Sequence, residues 1–189
     1  MKYSQNNEQT IISNYFQGKI GRFLDIGAYD GIALSNTYSL VLDGWSGVMI
    51  EGSPMTFELL KKNITQESVT LIHALVDIEE SREVTFFDNT EATATMNIGN
   101  YEKWLKATPF HECTMMTTPI SEILDEHGYA YDLVSIDVEG GSADLFRWMS
   151  ARMPDVKVWV VEHDGQDLQL EGYQVLDRNG ENLIFGRIS

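Results

Sequence analysis

Apolar residues along this chain fall into two alternating rhythms. Compact apolar runs at Phe23 to Ile26, Val48 to Ile50, Val69 to Ala74, Tyr131 to Val138 and Val156 to Val161 predict strands buried on both faces, as in a parallel sheet. The third run leads on into Leu75-Val76-Asp77. Between the runs, apolar residues recur at helical spacing. Leu40, Val41 and Leu42 lie in a helix from about Asn36 to Asp43, capped by Ser35 or Asn36 and stopped by Gly44. Phe57, Leu60 and Ile64 follow the cap and first-turn proline Ser53-Pro54. Ile120, Ile123 and Leu124 sit in a helix opened by Thr118-Pro119 and closed by Gly128, and Leu145, Phe146 and Met149 in one capped by Ser142.

Other stretches fill in this frame. Ile11, Ile12, Tyr15 and Phe16 give residues 1–20 a short amphipathic helix. Glu83 to Phe87 and Thr114 to Thr117 read as further strands. Residues 88–111 are polar and rich in breakers, with a helix near Tyr101 to Lys106; so long a connection is either mobile or functional, and a substrate lid is one reading. Tyr173 to Leu176 and Leu183 to Ile188, split by Asn179-Gly180, form an antiparallel hairpin. Alternating strands and helices with a terminal hairpin predict one α/β domain over residues 1–189, with a Rossmann-like sheet, mostly parallel, and helices on both faces.

Charge narrows the partners. With 13 basic and 29 acidic residues the chain carries a net charge of −16, and Lys61-Lys62 is its only adjacent basic pair. Such a surface repels a phosphate backbone, so nucleic acid is not an expected partner. No apolar run is long enough to span a membrane, and Met1 to Glu8 lacks the apolar core of a signal peptide, so the expected compartment is the cytoplasm. Cys113, the single cysteine, reads as a small apolar filler.

The chemistry concentrates where strands end. Phe-Leu-Asp-Ile-Gly-Ala-Tyr-Asp-Gly, from Phe23 to Gly31, is a strand running into a glycine-bearing turn, and the next strand ends on Glu51, 24 positions after Gly27. That spacing suits an acid holding a ribose diol. A dinucleotide fingerprint would need glycines where Tyr29 and Ile32 stand, so an NAD(P)-dependent oxidoreductase is disfavoured. Acids at Asp25 and Asp30 repel phosphate but suit a ligand with an ammonium and a sulfonium; S-adenosylmethionine is such a ligand. Every strand tip is polar: Asp25 and Gly27, Glu51 and Ser53, Asp77, Asp137 and Glu139, Glu162 and His163. In an open α/β sheet ligands bind beyond those ends.

The roles expected from ligand shape follow. Gly27 and Gly31 admit the methionine portion, with Asp25 orienting the loop or holding the ammonium through water. Glu51, beside Ser53, accepts from the ribose hydroxyls, Asp77 from the adenine amino group with Val76 packing on the ring, and Asp137 faces the transferred methyl. Candidates for the catalytic base are His163, Asp137 and Glu139, histidine having the most suitable ordinary pKa. His73, His111 and His127 read as structural or solvated. Asp137 with Glu162 and Asp164 could instead hold Mg²⁺, which would acidify a substrate hydroxyl.

The glycine turn together with Ser35-Asn36-Thr37, Gly44-Trp45-Ser46-Gly47, Ile50-Glu51-Gly52-Ser53-Pro54 and Ile136-Asp137-Val138-Glu139-Gly140 resembles the FkbM-type methyltransferases, and Tyr3-Ser4-Gln5 extends the likeness. The resemblance implies a seven-stranded sheet with a reversed last strand and an N-terminal segment, residues 1–20, folded over the cofactor mouth. It further implies O-methylation of a hydroxyl on a sugar, glycan or natural product. Ser142 departs from the family's usual acid, which admits a second expectation: a module that binds the donor without catalysis.

Overall fold

The computed structural model describes residues 1–163 and 165–188. Its elements in chain order are α1 (Glu8–Phe16), β1 (Arg22–Ile26), α2 (Tyr38–Leu42), β2 (Ser46–Glu51), α3 (Pro54–Asn63), β3 (Val69–His73), β4 (Leu75–Asp77) and β5 (Glu83–Asp88). They continue with α4 (Ile98–Trp104), β6 (His111–Pro119), α5 (Ile120–His127), β7 (Leu133–Ile136), α6 (Ser142–Ser150), β8 (Val158–Glu162), β9 (Tyr173–Arg178) and β10 (Asn182–Arg187).

Seven strands form one twisted sheet in the order β3-β2-β1-β7-β8-β10-β9. The first five are mutually parallel, and β10 runs antiparallel to both of its neighbours. The order reverses between β1 and β7: the chain first winds outward to β3, then returns to start the other half. That reversal opens a crevice at the carboxyl ends of β1 and β7.

Alternation along the strands builds a core on each face. Leu24 and Ile26 point to the face covered by Ile120, Ile123 and Leu124 of α5 and Leu145, Phe146 and Met149 of α6. Phe23, with Met49, Leu133 and Val160, points the other way, against Ile12 and Phe16 of α1, Leu40 and Val41 of α2 and Leu60 of α3. The β1 residues Phe23 and Leu24 are fully buried. Each large aliphatic or aromatic side chain withdrawn from water in this way contributes about 1.5–3 kcal/mol. No helix among the described residues is long and apolar enough to cross a membrane.

Several elements differ from the sequence expectation, each for a local reason. Helix α2 begins at Tyr38, because the Ser35 hydroxyl accepts from the Thr37 and Tyr38 amides while Asn36 and Thr37 send their side chains to β7 and β1. Leu75–Asp77 does not extend β3 but pairs with β6 in a second, three-stranded sheet of order β4-β6-β5. Strand β6 is longer than Thr114 to Thr117 because it pairs with all of β5. Helix α4 starts earlier than expected, where the Asn97 carboxamide accepts from the Gly99 and Asn100 amides. Ser142 is the first residue of α6 rather than its cap, the N-cap position being Gly141. The cap at Ser53 is as expected, accepting from the Thr56 amide, a contact worth about 1 kcal/mol.

Candidate functional site

The site is built by the turn after β1. The Gly27 and Ala28 amides both donate to the Ile50 carbonyl, at 2.9 and 3.0 Å, tying the turn to the tip of β2. On its other side the Asp137 amide donates to the Ile26 carbonyl at 2.9 Å. Gly27 adopts φ +85°, and a Cβ there would lie 1.7 Å from the Asp137 carbonyl oxygen, so only glycine lets the two tips approach. Beyond these tips lies a cavity of about 240 Å³.

Acidic groups from several strand ends converge on this cavity: Asp25, Glu51, Asp137, Glu139 and Glu162, together with Glu91 and Glu181. Asp25 is buried and accepts from the Thr37 hydroxyl at 2.5 Å; burial pushes its pKa up to about 6. Glu51 accepts from the Tyr29 amide at 2.8 Å and the Ser53 amide at 2.7 Å, yet burial still pushes it up to about 7. Burial also raises Asp137 to about 7, and the neighbouring Glu139 charge adds to the effect. One carboxylate oxygen from each of Asp137, Glu139 and Glu162 lies within 4.8 Å of the others. Glu162 is held by the Ser142 hydroxyl, which donates to it at 2.9 Å and accepts from the Val138 amide at 3.0 Å.

Backbone strain collects here too. Tyr29, Leu34 and Glu139 are non-glycine residues with φ of 53°, 60° and 49°, and all three line the cavity. Each costs on the order of 1 kcal/mol or more, offset by the surrounding contacts. Two polar atoms in the wall lack a protein partner among the described residues. The Asn36 side chain donates to the Ser135 hydroxyl at 3.2 Å, leaving its buried Oδ1 unmatched, and the Trp104 Nε1 is likewise unmatched.

Residues 91–96 and Trp104 also line the cavity. The Tyr29 hydroxyl donates to the Thr90 carbonyl, the Thr95 hydroxyl to the Glu139 carbonyl, and the Asn100 side-chain carboxamide to the Glu139 carboxylate. At the mouth, Gln5 lines the cavity and Ser4 bridges to Leu34.

Of the residues expected from sequence, Asp25, Gly27, Glu51, Val76, Asp137 and Glu139 line this cavity. Four others are placed elsewhere. Gly31 is not among the residues lining the cavity; a Cβ there would lie 2.6 Å from the Leu60 side chain and 2.7 Å from that of Ile64. Ser53 caps α3 and donates to Asp88. Asp77 is not among the residues lining the cavity; it is paired with Arg82 at 2.8 Å and accepts from the Ile78 amide. His163 is buried with both ring nitrogens engaged: Nδ1 accepts from the Gly165 amide, which makes Nε2 the donor to the Asn179 carbonyl. An imidazole so committed does not reach the cavity as a base. Asp164 lies outside the described residues.

Sequence reasoning missed Asn36 as a wall residue, reading it as a cap. The polar triplet Ser35-Asn36-Thr37 just beyond a strand tip was the available signal. Ser135, Trp104 and Glu181 carried no local signal, since each reaches the cavity only through the fold.

The chain matches the methyltransferase FkbM domain over residues 25–179. No curated protein matches it significantly. Among solved structures, it superposes on the hypothetical protein TTHA0928 of Thermus thermophilus with a TM-score of 0.54 at 16% identity, covering 100% of this chain and 92% of that one. It superposes on the putative methyltransferase yhhF of Escherichia coli with a TM-score of 0.56 at 12% identity, covering 99% and 88%. At these identities the likeness is one of fold.

Proposed function

The chain belongs to the FkbM methyltransferase domain family, and from that premise we propose that it is an S-adenosylmethionine-dependent O-methyltransferase acting on a hydroxyl of a sugar, glycan or natural product. One observation carries the donor assignment. The cavity at the strand tips brings together Asp25, Glu51 and the unmatched Asn36 Oδ1, and among the described residues no lysine or arginine lines it. That donor set suits a ligand with an ammonium, a ribose diol and no phosphate.

The residues fit such a ligand group by group. Glu51 already accepts one backbone amide on each oxygen, and its remaining lone pairs can accept from two vicinal hydroxyls. Asn36 Oδ1 and Asp25 accept from the ammonium. Val76, Leu75 and Phe86 form the apolar wall for the purine. When bound, the donor supplies an electrophilic methyl group.

The chain itself must align an acceptor oxygen and take its proton. We assign both tasks to Asp137, Glu139 and Glu162, whose carboxylates lie near one another. The acceptor oxygen bonds to the methyl carbon as the carbon–sulfur bond breaks, and its proton passes to one of these carboxylates. Asp137, raised to about 7, titrates near neutral pH, where a general base is most effective. Residues 88–111 serve as the cover over the acceptor and residues 1–20 as the rim of the donor mouth. The three carboxylates also offer the hard oxygen donors that Mg²⁺ takes.

Isothermal titration with S-adenosylhomocysteine, with and without Mg²⁺, tests the proposal. Micromolar binding is expected, and a gain with Mg²⁺ would assign the metal to the carboxylate trio. A folded sample that binds nothing would overturn the donor assignment.

A further inference from the structure

Strand register places two polar residues where the sheet is otherwise apolar. Across four neighbouring strands Met49, Asp25, Ser135 and Val160 stand side by side, all buried and all directed to the same face. A carboxylate and a hydroxyl buried there are costly unless both are hydrogen-bonded, and the segment before α2 supplies the bonds. The Thr37 hydroxyl donates to Asp25 at 2.5 Å, and the Ser135 hydroxyl also bonds the Asp25 carboxylate. Behind Ser135 stands Asn36, whose carboxamide nitrogen donates to the Ser135 hydroxyl at 3.2 Å.

Proton count fixes the direction of this relay. A serine hydroxyl has one proton to give, and an ionised carboxylate can only accept. The Ser135 proton therefore goes to Asp25, and what Ser135 offers Asn36 is a lone pair. Asn36 must answer with its NH₂ group, which leaves Oδ1 as the outer end of its carboxamide. That accounts for the buried Oδ1 having no protein partner among the described residues, in a side chain that lines the cavity. The two ends of a carboxamide have nearly the same shape, so without Ser135 nothing in this relay would keep the acceptor end outward.

We infer that Ser135 is a positioning residue for the donor: through it Asp25 holds the Asn36 carboxamide with its oxygen toward the ligand, and the cavity thereby selects the ammonium of the methionine portion. The inference rests on the donor reading and deepens it by naming what sets the amine specificity. A carboxamide released from Ser135 could turn its NH₂ group to the cavity, where it would oppose the ammonium instead of accepting from it.

S-adenosylhomocysteine and deamino-S-adenosylhomocysteine, in which hydrogen replaces the amino group, are titrated into the full chain and its variants. The unaltered chain is expected to prefer the amine by about tenfold or more. Ser135→Ala should bind S-adenosylhomocysteine about tenfold more weakly and the deamino compound equally well. Asn36→Leu should lose the same preference, and adding Ser135→Ala to it should cost S-adenosylhomocysteine nothing further. Should Ser135→Ala fail to fold, Ser135→Cys, whose thiol is a weak partner of similar size, is expected to shift the preference in the same direction. Equal losses for both ligands, as from a purely structural serine, overturn the inference. Unchanged S-adenosylhomocysteine affinity in the serine variant, or a further loss in the double variant, does the same. The unaltered chain separates the two claims: binding of neither ligand by a folded sample overturns the donor reading, whereas equal binding of both overturns only the amine selection.

Discussion

Replacing Gly27 with alanine tests the premise that the site depends on the closeness of two strand tips. Two costs add. The backbone at φ +85° is strained for any residue with a Cβ, at roughly 1–2 kcal/mol. The new Cβ would also lie 1.7 Å from the Asp137 carbonyl oxygen, a main-chain atom that no rotamer change can move. Relief requires displacing the β7 tip, against the 2.9 Å bond from the Asp137 amide to the Ile26 carbonyl, and overpacking of this kind costs about 1–3 kcal/mol. The expected loss is therefore about 2–5 kcal/mol, or roughly 4–20 °C in Tm for a chain of this size. Gly44→Ala is the matched control: φ is +89° there, but a Cβ would meet nothing within 4 Å, so only the same backbone cost of roughly 1–2 kcal/mol applies. Urea unfolding of both variants gives the difference, and titration with S-adenosylhomocysteine reports the site. Gly27→Ala should lose at least tenfold in affinity while Gly44→Ala keeps it. Equal destabilisation of the two variants would refute the close-approach argument.

Other expected outcomes concern the acids and the histidine. Glu51→Ala should weaken S-adenosylhomocysteine binding at least tenfold and lower stability by about 1–3 kcal/mol, because the Tyr29 and Ser53 amides lose their acceptor; unchanged binding would remove Glu51 from the ribose role. The raised carboxyls set the direction of pH dependence. Between their ordinary values near 4 and the folded values of about 6 for Asp25 and about 7 for Glu51 and Asp137, the folded chain binds more protons than the unfolded one. Their stabilising contribution is complete at acid pH and is lost as pH rises through about 7. Glu8 acts oppositely: burial works to raise it, but hydrogen bonds from Asn182, Asn179 and nearby backbone prevail and hold it low, so its contribution is lost on acidification. The urea midpoint should therefore fall between pH 5 and 8 and fall less steeply in Glu51→Gln; a midpoint rising across that range would contradict the burial of these groups. His163→Gln should lower the urea midpoint, because two backbone contacts are lost, with S-adenosylhomocysteine affinity unchanged; a lost affinity would place the imidazole at the ligand after all.

The main sheet is legible in the sequence because its strands are buried on both faces, and apolar runs such as Phe23 to Ile26 need no partner to be recognised. Asp25, Gly27, Glu51 and Asp137 are legible for a related reason: a parallel strand must end at the ligand side, so the residue at its tip is fixed by chain order. The glycine turn and the acid spacing are local properties of one βαβ unit. What the chain order left open was decided by contacts between distant segments. Asp77 follows a strand like the other tips, but β4 left the main sheet to pair with β6, and Arg82 took its carboxylate. His163 also follows a strand, yet the Asn179 carbonyl, 16 residues on, claimed its ring. Trp104 and Glu181 reach the cavity from the end of the short helix α4 and from the turn of a terminal hairpin, with no periodicity to announce them. Sequence pattern reports which face of an element is buried, since burial follows a period. Which polar group satisfies another across the fold depends on distances that only packing sets, and that decided which of the acids at the strand tips face the cavity.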